Sequence, residues 1–200
     1  MSHAFPVPLE KYEWDQMWIE HTENTSAPRV LYIGDSISVG VLPQVNALAA
    51  GSVLYDAFST SKGLDNPCFP EAILTMARQQ GRRDLIVINN GYHGLHLSDE
   101  EDYPPAFERM LAFLQESFPG TPIALILATH GTNEEREKRV VGRNREVWKL
   151  AEKWQLPVID YYQASLPCEQ FLRDTVHFTQ EGYQALARCL HEKVLEILKI

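Results

Sequence analysis

Five short runs of apolar residues, many of them β-branched, recur along the chain. They cover residues 30–33, 53–58, 85–88, 123–127 and 158–159. Within each run the apolar side chains are continuous instead of alternating with polar ones, which is typical of strands buried on both faces. The pattern therefore predicts five buried β-strands.

Segments with helical periodicity separate these runs. The two most regular apolar faces lie in two of these segments. The first face consists of Phe107, Met110, Leu111, Leu114 and Phe118. The second follows a predicted N-cap at Thr179 and consists of Tyr183, Leu186, Leu190, Val194 and Ile197. Strands that alternate with helices favour a parallel sheet covered by helices on both faces. We expect an α/β protein with a three-layer α/β/α, flavodoxin-like fold around a five-stranded parallel sheet.

Residues 1–28 precede the first strand and form a predicted N-terminal extension packed on this fold. The spacing of its apolar side chains favours a short helix, with residues 24–28 as its linker; these side chains are Tyr12, Trp14, Met17 and Trp18. A chain of 200 residues with 44% hydrophobic and 22% charged residues has the size and composition of one globular domain. We therefore interpret residues 1–200 as a single domain.

Charge and hydropathy exclude several classes of partner. The formal net charge of −9 and the absence of a Lys/Arg run argue against nucleic acid. No stretch approaches the roughly 20 apolar residues of a membrane span, and the start lacks a signal-peptide core, so we expect a cytoplasmic protein without a membrane partner.

Cys68, Cys168 and Cys189 lack the spacing of a disulfide framework or zinc site and are expected to be small buried side chains. The oligomeric state stays open.

Polar residues that can carry chemistry follow three of the predicted strands. Residues 34–38, Gly-Asp-Ser-Ile-Ser, follow the first strand, and residues 89–94, Asn-Asn-Gly-Tyr-His-Gly, follow the third. Residues 174–177, Asp-Thr-Val-His, come after the fifth. Ligands of an open parallel sheet bind beyond the carboxyl ends of its strands, so we expect these three segments to lie on one edge.

Ser36 lies where a strand turns into a helix, so its hydroxyl can attack a carbonyl while its N–H helps to hold the oxyanion. The alternative is that Ser36 or Asp35 only caps the helix. Asp174 and His177 are close enough for the carboxylate to orient the imidazole towards a serine, although an exposed ion pair is the simpler interpretation of the pair alone.

Together these segments resemble the SGNH (GDSL-type) serine hydrolases over most of the chain, from Val30 to the final helix. The resemblance also includes residues 59–65, Ser-Thr-Ser-Lys-Gly-Leu-Asp, and Arg143-Asn144. It implies that Ser36 is the nucleophile, His177 the base and Asp174 its partner, with no metal and no organic cofactor.

The third block departs from the family pattern at two positions. It usually reads Gly-x-Asn-Asp, and its Asn donates to the oxyanion; aligned on Gly91, that Asn is His93 here and the Asp is Gly94. The chain resembles a subgroup with Asn-Gly-x-His-Gly, in which a neutral imidazole N–H would replace the amide, and Asn90 is the alternative donor. The second block of the family normally supplies a further oxyanion donor, a glycine N–H. Here this donor would be the N–H of Gly63 or of the backbone near Thr60.

The resemblance implies ester hydrolysis through an acyl-enzyme, with a small-molecule or glycan ester as substrate. No long insertion is present that could form a lid or a deep acyl tunnel, so we expect short acyl groups, acetyl first. Tyr92, Phe69 and Phe178 flank the site in sequence and are predicted to bind a sugar ring. The alternatives are a thioesterase or lysophospholipase of the same fold, an inactive glycan-binding relative, and a flavodoxin-like phosphate binder. The last is disfavoured because the sequence has no Gly-rich phosphate-binding loop.

A metal cluster of His93, His96 and His130 is disfavoured because no set of spaced carboxylates or thiolates accompanies it. His3, His21 and His191 are expected to face solvent.

Overall fold

A six-stranded sheet in the order β1-β3-β2-β4-β5-β6 forms the centre of the computed structural model, which describes residues 5–200. The strands are β1 Asp15–Trp18, β2 Arg29–Gly34, β3 Leu54–Thr60, β4 Leu85–Ile88, β5 Ile123–Ile126 and β6 Val158–Ile159. Strands β2 to β6 are all parallel to one another, which confirms the five predicted strands and their direction.

Helices cover both faces of this sheet. They are α1 Ser36–Ala49, α2 Cys68–Gln80, α3 Tyr103–Ser117, α4 Glu134–Trp154, α5 Tyr161–Ser165 and α6 Gln180–Leu198, with a 3-10 helix at Leu166–Phe171. Leu31 and Ile33 of β2 pack in the core under α2, α3 and α4, whereas Val30 and Tyr32 pack in the core under α1 and α6. Because successive strand residues point to opposite faces, two covered faces require the continuous apolar runs seen in the sequence. The three-layer α/β/α prediction is confirmed.

The predicted N-terminal helix is wrong. The segment instead forms β1, which pairs antiparallel with β3 so that Asp15 lies opposite Thr60 and Met17 opposite Phe58. An unpaired β3 edge would leave buried backbone groups without partners, and this long-range pairing outweighs the weak helical spacing. Residues 24–28 form a turn in which the Asn24 side chain accepts hydrogen bonds from the N–H groups of Ser26 and Ala27.

A buried ion pair anchors this extension. Nη1 of Arg29 lies 2.9 Å from Oδ1 of Asp56, and both side chains are almost fully buried. Asp56 also accepts hydrogen bonds from the Glu20 N–H at 2.7 Å and the Gln80 amide at 2.6 Å, while Arg29 donates to the His21 carbonyl at 2.7 Å. Since both carboxylate oxygens of Asp56 and both terminal nitrogens of Arg29 have partners, the buried pair connects residues 20–21 to β2 and β3.

Among residues 5–200, no helix is both long and apolar enough to cross a membrane. The three cysteines are free thiols; Cys168 is buried, and Cys68 and Cys189 are partly buried.

Candidate active site

Ser36, His177 and Asp174 form a hydrogen-bonded chain at the carboxyl edge of the sheet. Nε2 of His177 lies 2.8 Å from Oγ of Ser36, and Nδ1 of the same ring lies 2.8 Å from Oδ2 of Asp174. Ser36 is the first residue of α1, and the cap of that helix is Asp35, whose Oδ1 accepts the Ile37 N–H at 2.9 Å. The Ser36 hydroxyl is therefore free of the capping role and points to an imidazole.

The turn that carries Asp174 and His177 is held by its own backbone. Oδ1 of Asp174 accepts the N–H groups of Val176 at 2.9 Å and His177 at 2.8 Å, and the Arg173 N–H donates to the His177 carbonyl at 2.8 Å. Burial alone would raise the pKa of Asp174, but these N–H groups and the imidazole lower it to about 2. The ionised carboxylate therefore favours the proton on Nδ1 of His177, which leaves Nε2 to accept one from Ser36.

An open cleft of about 470 Å³ lies beside this chain of residues. Its lining residues are Trp14, Gln16, Ser36, Val39, Gly40, Arg173, His177 and Tyr183. Gly40 is required here because a Cβ on it would lie 2.2 Å from the Tyr183 ring. The cleft thus exposes the Ser36 hydroxyl to a ligand of moderate size.

The loop after β3 and the loop after β4 approach each other closely at two glycines. A Cβ on Gly63 would lie 2.9 Å from the Cα of Gly94, and Gly94 itself has a φ of +67°, a conformation that favours glycine. The Gly63 N–H donates no hydrogen bond to any of residues 5–200.

His93 lies in the loop after β4 with one ring nitrogen paired and the other unpaired. Nδ1 lies 3.0 Å from Oε1 of Glu10, and the buried Nε2 has no partner among the described residues. The ring stands edge-on to Trp14, with centroids 6.4 Å apart. Burial by itself lowers the pKa of His93, but the hydrogen bond to Glu10 and the charges of Asp35, Glu10 and Glu13 outweigh it, so that the pKa is raised. Glu10 and Trp14 belong to the extension; the sequence indicated only a packing role for Trp14 and none for Glu10.

Asn90, the alternative donor, is buried, and its amide already donates to the Lys62 carbonyl at 2.9 Å. Its Oδ1 is buried without a partner among residues 5–200, as is Oδ2 of Asp35. Burial is the main cause that raises the pKa of Asp35, and the charges of His93 and His177 oppose it only in part.

Arg143 fixes the backbone of the His93 loop from below. Its fully buried guanidinium donates to the carbonyl oxygens of His93 at 2.5 Å and Gly94 at 2.8 Å, pairs with Asp99 at 2.8 Å, and stacks 4.4 Å from the Tyr103 ring centroid. The planar guanidinium has five N–H donors in a fixed fork, so it can bind several carbonyls and a carboxylate at once. The neighbouring Asn144 fixes the segment just after β5: its side chain accepts a hydrogen bond from the Ala128 N–H and donates one to the Ala128 carbonyl.

The three aromatic residues predicted to bind sugar do not form a platform. Phe69 is fully buried against Phe58, and Phe178 is 1% exposed in the other core cluster, so neither ring presents a free face. Their predicted stacking does not fit this burial. Tyr92 is partly buried and its hydroxyl donates to the Thr129 carbonyl at 2.7 Å. Sequence proximity to the site did not reveal the direction of these side chains.

The other histidines are dispersed. His96 pairs with Asp65 at 2.7 Å, and His130 pairs with Glu137 at 2.9 Å and Glu169 at 3.1 Å. Residues 5–200 contain no group of three or more His, Cys, Asp or Glu side chains placed to hold a metal. His21 is exposed as predicted, whereas His191 is half-buried and bonds the Tyr55 hydroxyl at 2.8 Å; His3 lies outside the described residues.

Neither a protein-family model nor a curated protein sequence matches the chain. Solved structures match its fold. An acetyl esterase mutant with a bound acetate ion is 15% identical with a TM-score of 0.67, and the match covers 86% of this chain and 98% of that one. The catalytic domain of the Streptococcus pneumoniae peptidoglycan O-acetyltransferase A is 18% identical, with a TM-score of 0.67 over 86% and 95% of the two chains. An acetyl xylan esterase is 14% identical, with a TM-score of 0.63 over 83% and 99%.

At these identities the likeness establishes the fold. The chain has the α/β fold of the SGNH/GDSL hydrolases, with one antiparallel strand, β1, beyond the five predicted from the sequence.

Proposed function

We propose that the protein is a serine esterase that hydrolyses short acyl esters, with acetyl as the preferred acyl group and a carbohydrate as the favoured alcohol. The observation that carries the proposal is the chain Asp174–His177–Ser36, with both contacts at 2.8 Å, beside an open cleft. Support also comes from the fold neighbours, which include an acetyl esterase and an acetyl xylan esterase.

In the proposed reaction His177 takes the Ser36 proton while Oγ attacks the ester carbonyl and forms a tetrahedral intermediate. His177 then returns that proton to the alcohol as the C–O bond breaks, which leaves an acyl-Ser36. Water, deprotonated by the same imidazole, attacks the acyl carbon and releases the acid. Asp174 stabilises the imidazolium in both steps.

The oxyanion in this scheme is held by the N–H groups of Ser36 and Gly63 and by His93. Glu10 lies at Nδ1 of His93, and a carboxylate can only accept a hydrogen bond, so Nδ1 carries a proton. A neutral ring would then have no proton on Nε2. His93 therefore acts as an imidazolium, in contrast to the neutral imidazole expected from the sequence, and its positive charge adds to the stabilisation of the oxyanion.

A panel of substrates tests this proposal. We expect purified enzyme to hydrolyse 4-nitrophenyl acetate faster than the butyrate and octanoate esters, and Ser36→Ala to lose several orders of magnitude in kcat while staying folded. A fluorophosphonate probe should label the wild type on the peptide containing Ser36. A preference for octanoate or for acyl thioesters would favour a lipase or thioesterase instead, and the absence of both labelling and turnover would contradict a hydrolase.

A further inference from the structure

A second cavity of about 560 Å³ opens next to the catalytic cleft. It is lined by residues of β1, α1 and the segment after β1: Gln16, Trp18, Glu20, His21, Val39, Leu42, Pro43, Asn46 and Ala47. Gln16 and Val39 line both cavities. The two spaces are therefore adjacent along α1, and they are called here together the β1–α1 groove, with Ser36 at one end.

One face of α1 forms the floor of this groove. Ser36, Val39, Pro43 and Ala47 follow each other at intervals of three or four residues, so they lie in one row along the helix. At about 1.5 Å per residue the row is roughly 16 Å long. That length exceeds what an acetyl group or one sugar ring needs, so the groove has room for a longer substrate that reaches Ser36 at one end.

One face of β1, together with the residue before it, forms the wall. Gln16 and Trp18 of β1 point the same way because alternate residues of a strand share a face, and both line the second cavity. Trp14, which directly precedes β1, lines the catalytic cleft together with Gln16. The Trp18 side chain is 53% exposed, yet its indole N–H donates to Oε2 of Glu20 at 2.6 Å. An exposed ring whose orientation is fixed in this way loses little conformational freedom when a ligand stacks on it.

An unused polar group lies between the two tryptophans. The Gln16 side-chain amide makes no hydrogen bond to any of residues 5–200, so it offers both a donor and an acceptor. The Asn46 amide, in contrast, is committed to the backbone N–H and carbonyl of Tyr55.

We propose that the β1–α1 groove binds a neutral, linear glycan that carries the ester, with one sugar at Ser36 and a further sugar stacked on Trp18. The inference rests on the proposed esterase function. A pyranose ring has an apolar face of C–H groups that suits an aromatic ring, and hydroxyls at its rim that suit the Gln16 amide. Gln16, Glu20 and His21 line the same space as the apolar residues of α1, so a ligand with polar and apolar faces suits it better than a long acyl chain does.

The test compares esters that differ only in the number of sugars. The probes are partially acetylated xylo-, cello- and manno-oligosaccharides of one to four sugars, with 4-nitrophenyl acetate as the reference. We expect kcat/KM to rise with sugar number in at least one series. Trp18→Ala should lower the ratio of the tetrasaccharide rate constant to the reference rate constant about tenfold. Trp148→Ala is the matched control: this tryptophan of α4 is 45% exposed and lies outside the groove, so the ratio should not change.

The outcomes separate this inference from the proposed function. Hydrolysis of 4-nitrophenyl acetate with no dependence on sugar number in any series would overturn the glycan groove and leave the esterase intact. Rates that rise with acyl length, and fall in Trp18→Ala, would assign the groove to an acyl chain instead. If no ester is hydrolysed, calorimetric titration of the wild type with the unacetylated tetrasaccharides decides: binding that Trp18→Ala weakens supports the groove, and no binding refutes it.

Discussion

Nδ1 of His93 lies 3.0 Å from Oε1 of Glu10, a residue 83 positions earlier in the chain. The contact joins the N-terminal extension to the loop after β4 and determines which ring nitrogen carries a proton. Charged groups that face this ring are Glu10, Glu13 and Asp35, all acidic, so the protonated form of His93 is favoured.

The first prediction concerns pH. Because the pKa of His93 is raised, its proton persists to higher pH than in a free histidine and is lost as pH rises through the raised pKa. We therefore expect kcat to fall on the alkaline side, and Glu10→Gln to move this fall to lower pH. Glu23→Gln, an exposed residue, is the control. Superimposable pH profiles of kcat for Glu10→Gln and wild type would contradict the imidazolium donor.

The second prediction concerns the identity of the donor. Loss of one oxyanion donor lowers kcat by a factor of about 10² to 10³. We therefore expect His93→Ala to lower kcat by this factor with little change in KM. His93→Asn should recover part of the loss because an amide N–H replaces the ring. If Asn90 is the donor instead, Asn90→Ala will show the kcat defect and His93→Ala will change mainly the melting temperature. Measuring kcat, KM and melting temperature for the three variants decides between them.

The third prediction concerns Asp174. Its pKa of about 2 keeps the carboxylate ionised over the whole useful pH range. Asp174→Asn should retain the fold and lower kcat on the order of 10³ to 10⁴, because an amide cannot stabilise the imidazolium and favours the wrong tautomer. Near wild-type turnover in a folded Asp174→Asn would remove this residue from the triad.

The fourth prediction concerns stability. Arg143→Ala leaves the carbonyls of His93 and Gly94 and the Asp99 carboxylate without their buried partner, which should cost about 3–5 kcal/mol of unfolding free energy. Arg145→Ala, at an exposed neighbour paired with Glu100, should cost about 1 kcal/mol or less. Urea denaturation of both variants measures the difference, and equal losses would show that Arg143 does not hold the loop.

The parallel strands could be predicted from the sequence because a strand that is buried on both faces needs a continuous run of apolar residues. Leu85–Ile88, for example, is a run of four apolar residues, and both of its faces are covered by helices. The meeting of Ser36 and His177 followed from the rule that the ends of parallel strands share one edge, together with the family resemblance.

The remaining features depend on contacts between distant segments. Nothing near Glu10 in the chain indicates His93, and the pairing of β1 is decided by the free edge of β3 and not by the propensity of residues 15–18. Phe69 follows a site loop directly, but its ring turns into the core against Phe58. Side-chain direction at such positions depends on packing that the sequence alone does not display.

Strand β1 also has a consequence for solubility. Every residue of β3, Leu54–Thr60, is buried, and β1 occupies the edge that this largely apolar strand would otherwise present. An exposed edge of that kind is a template for pairing between chains, whereas β1 is only four residues long and carries Asp15 paired with Lys62. Efforts to redesign substrate preference through Trp14 or Trp18 must therefore preserve the pairing of β1, because its loss would expose the β3 edge to pairing between chains.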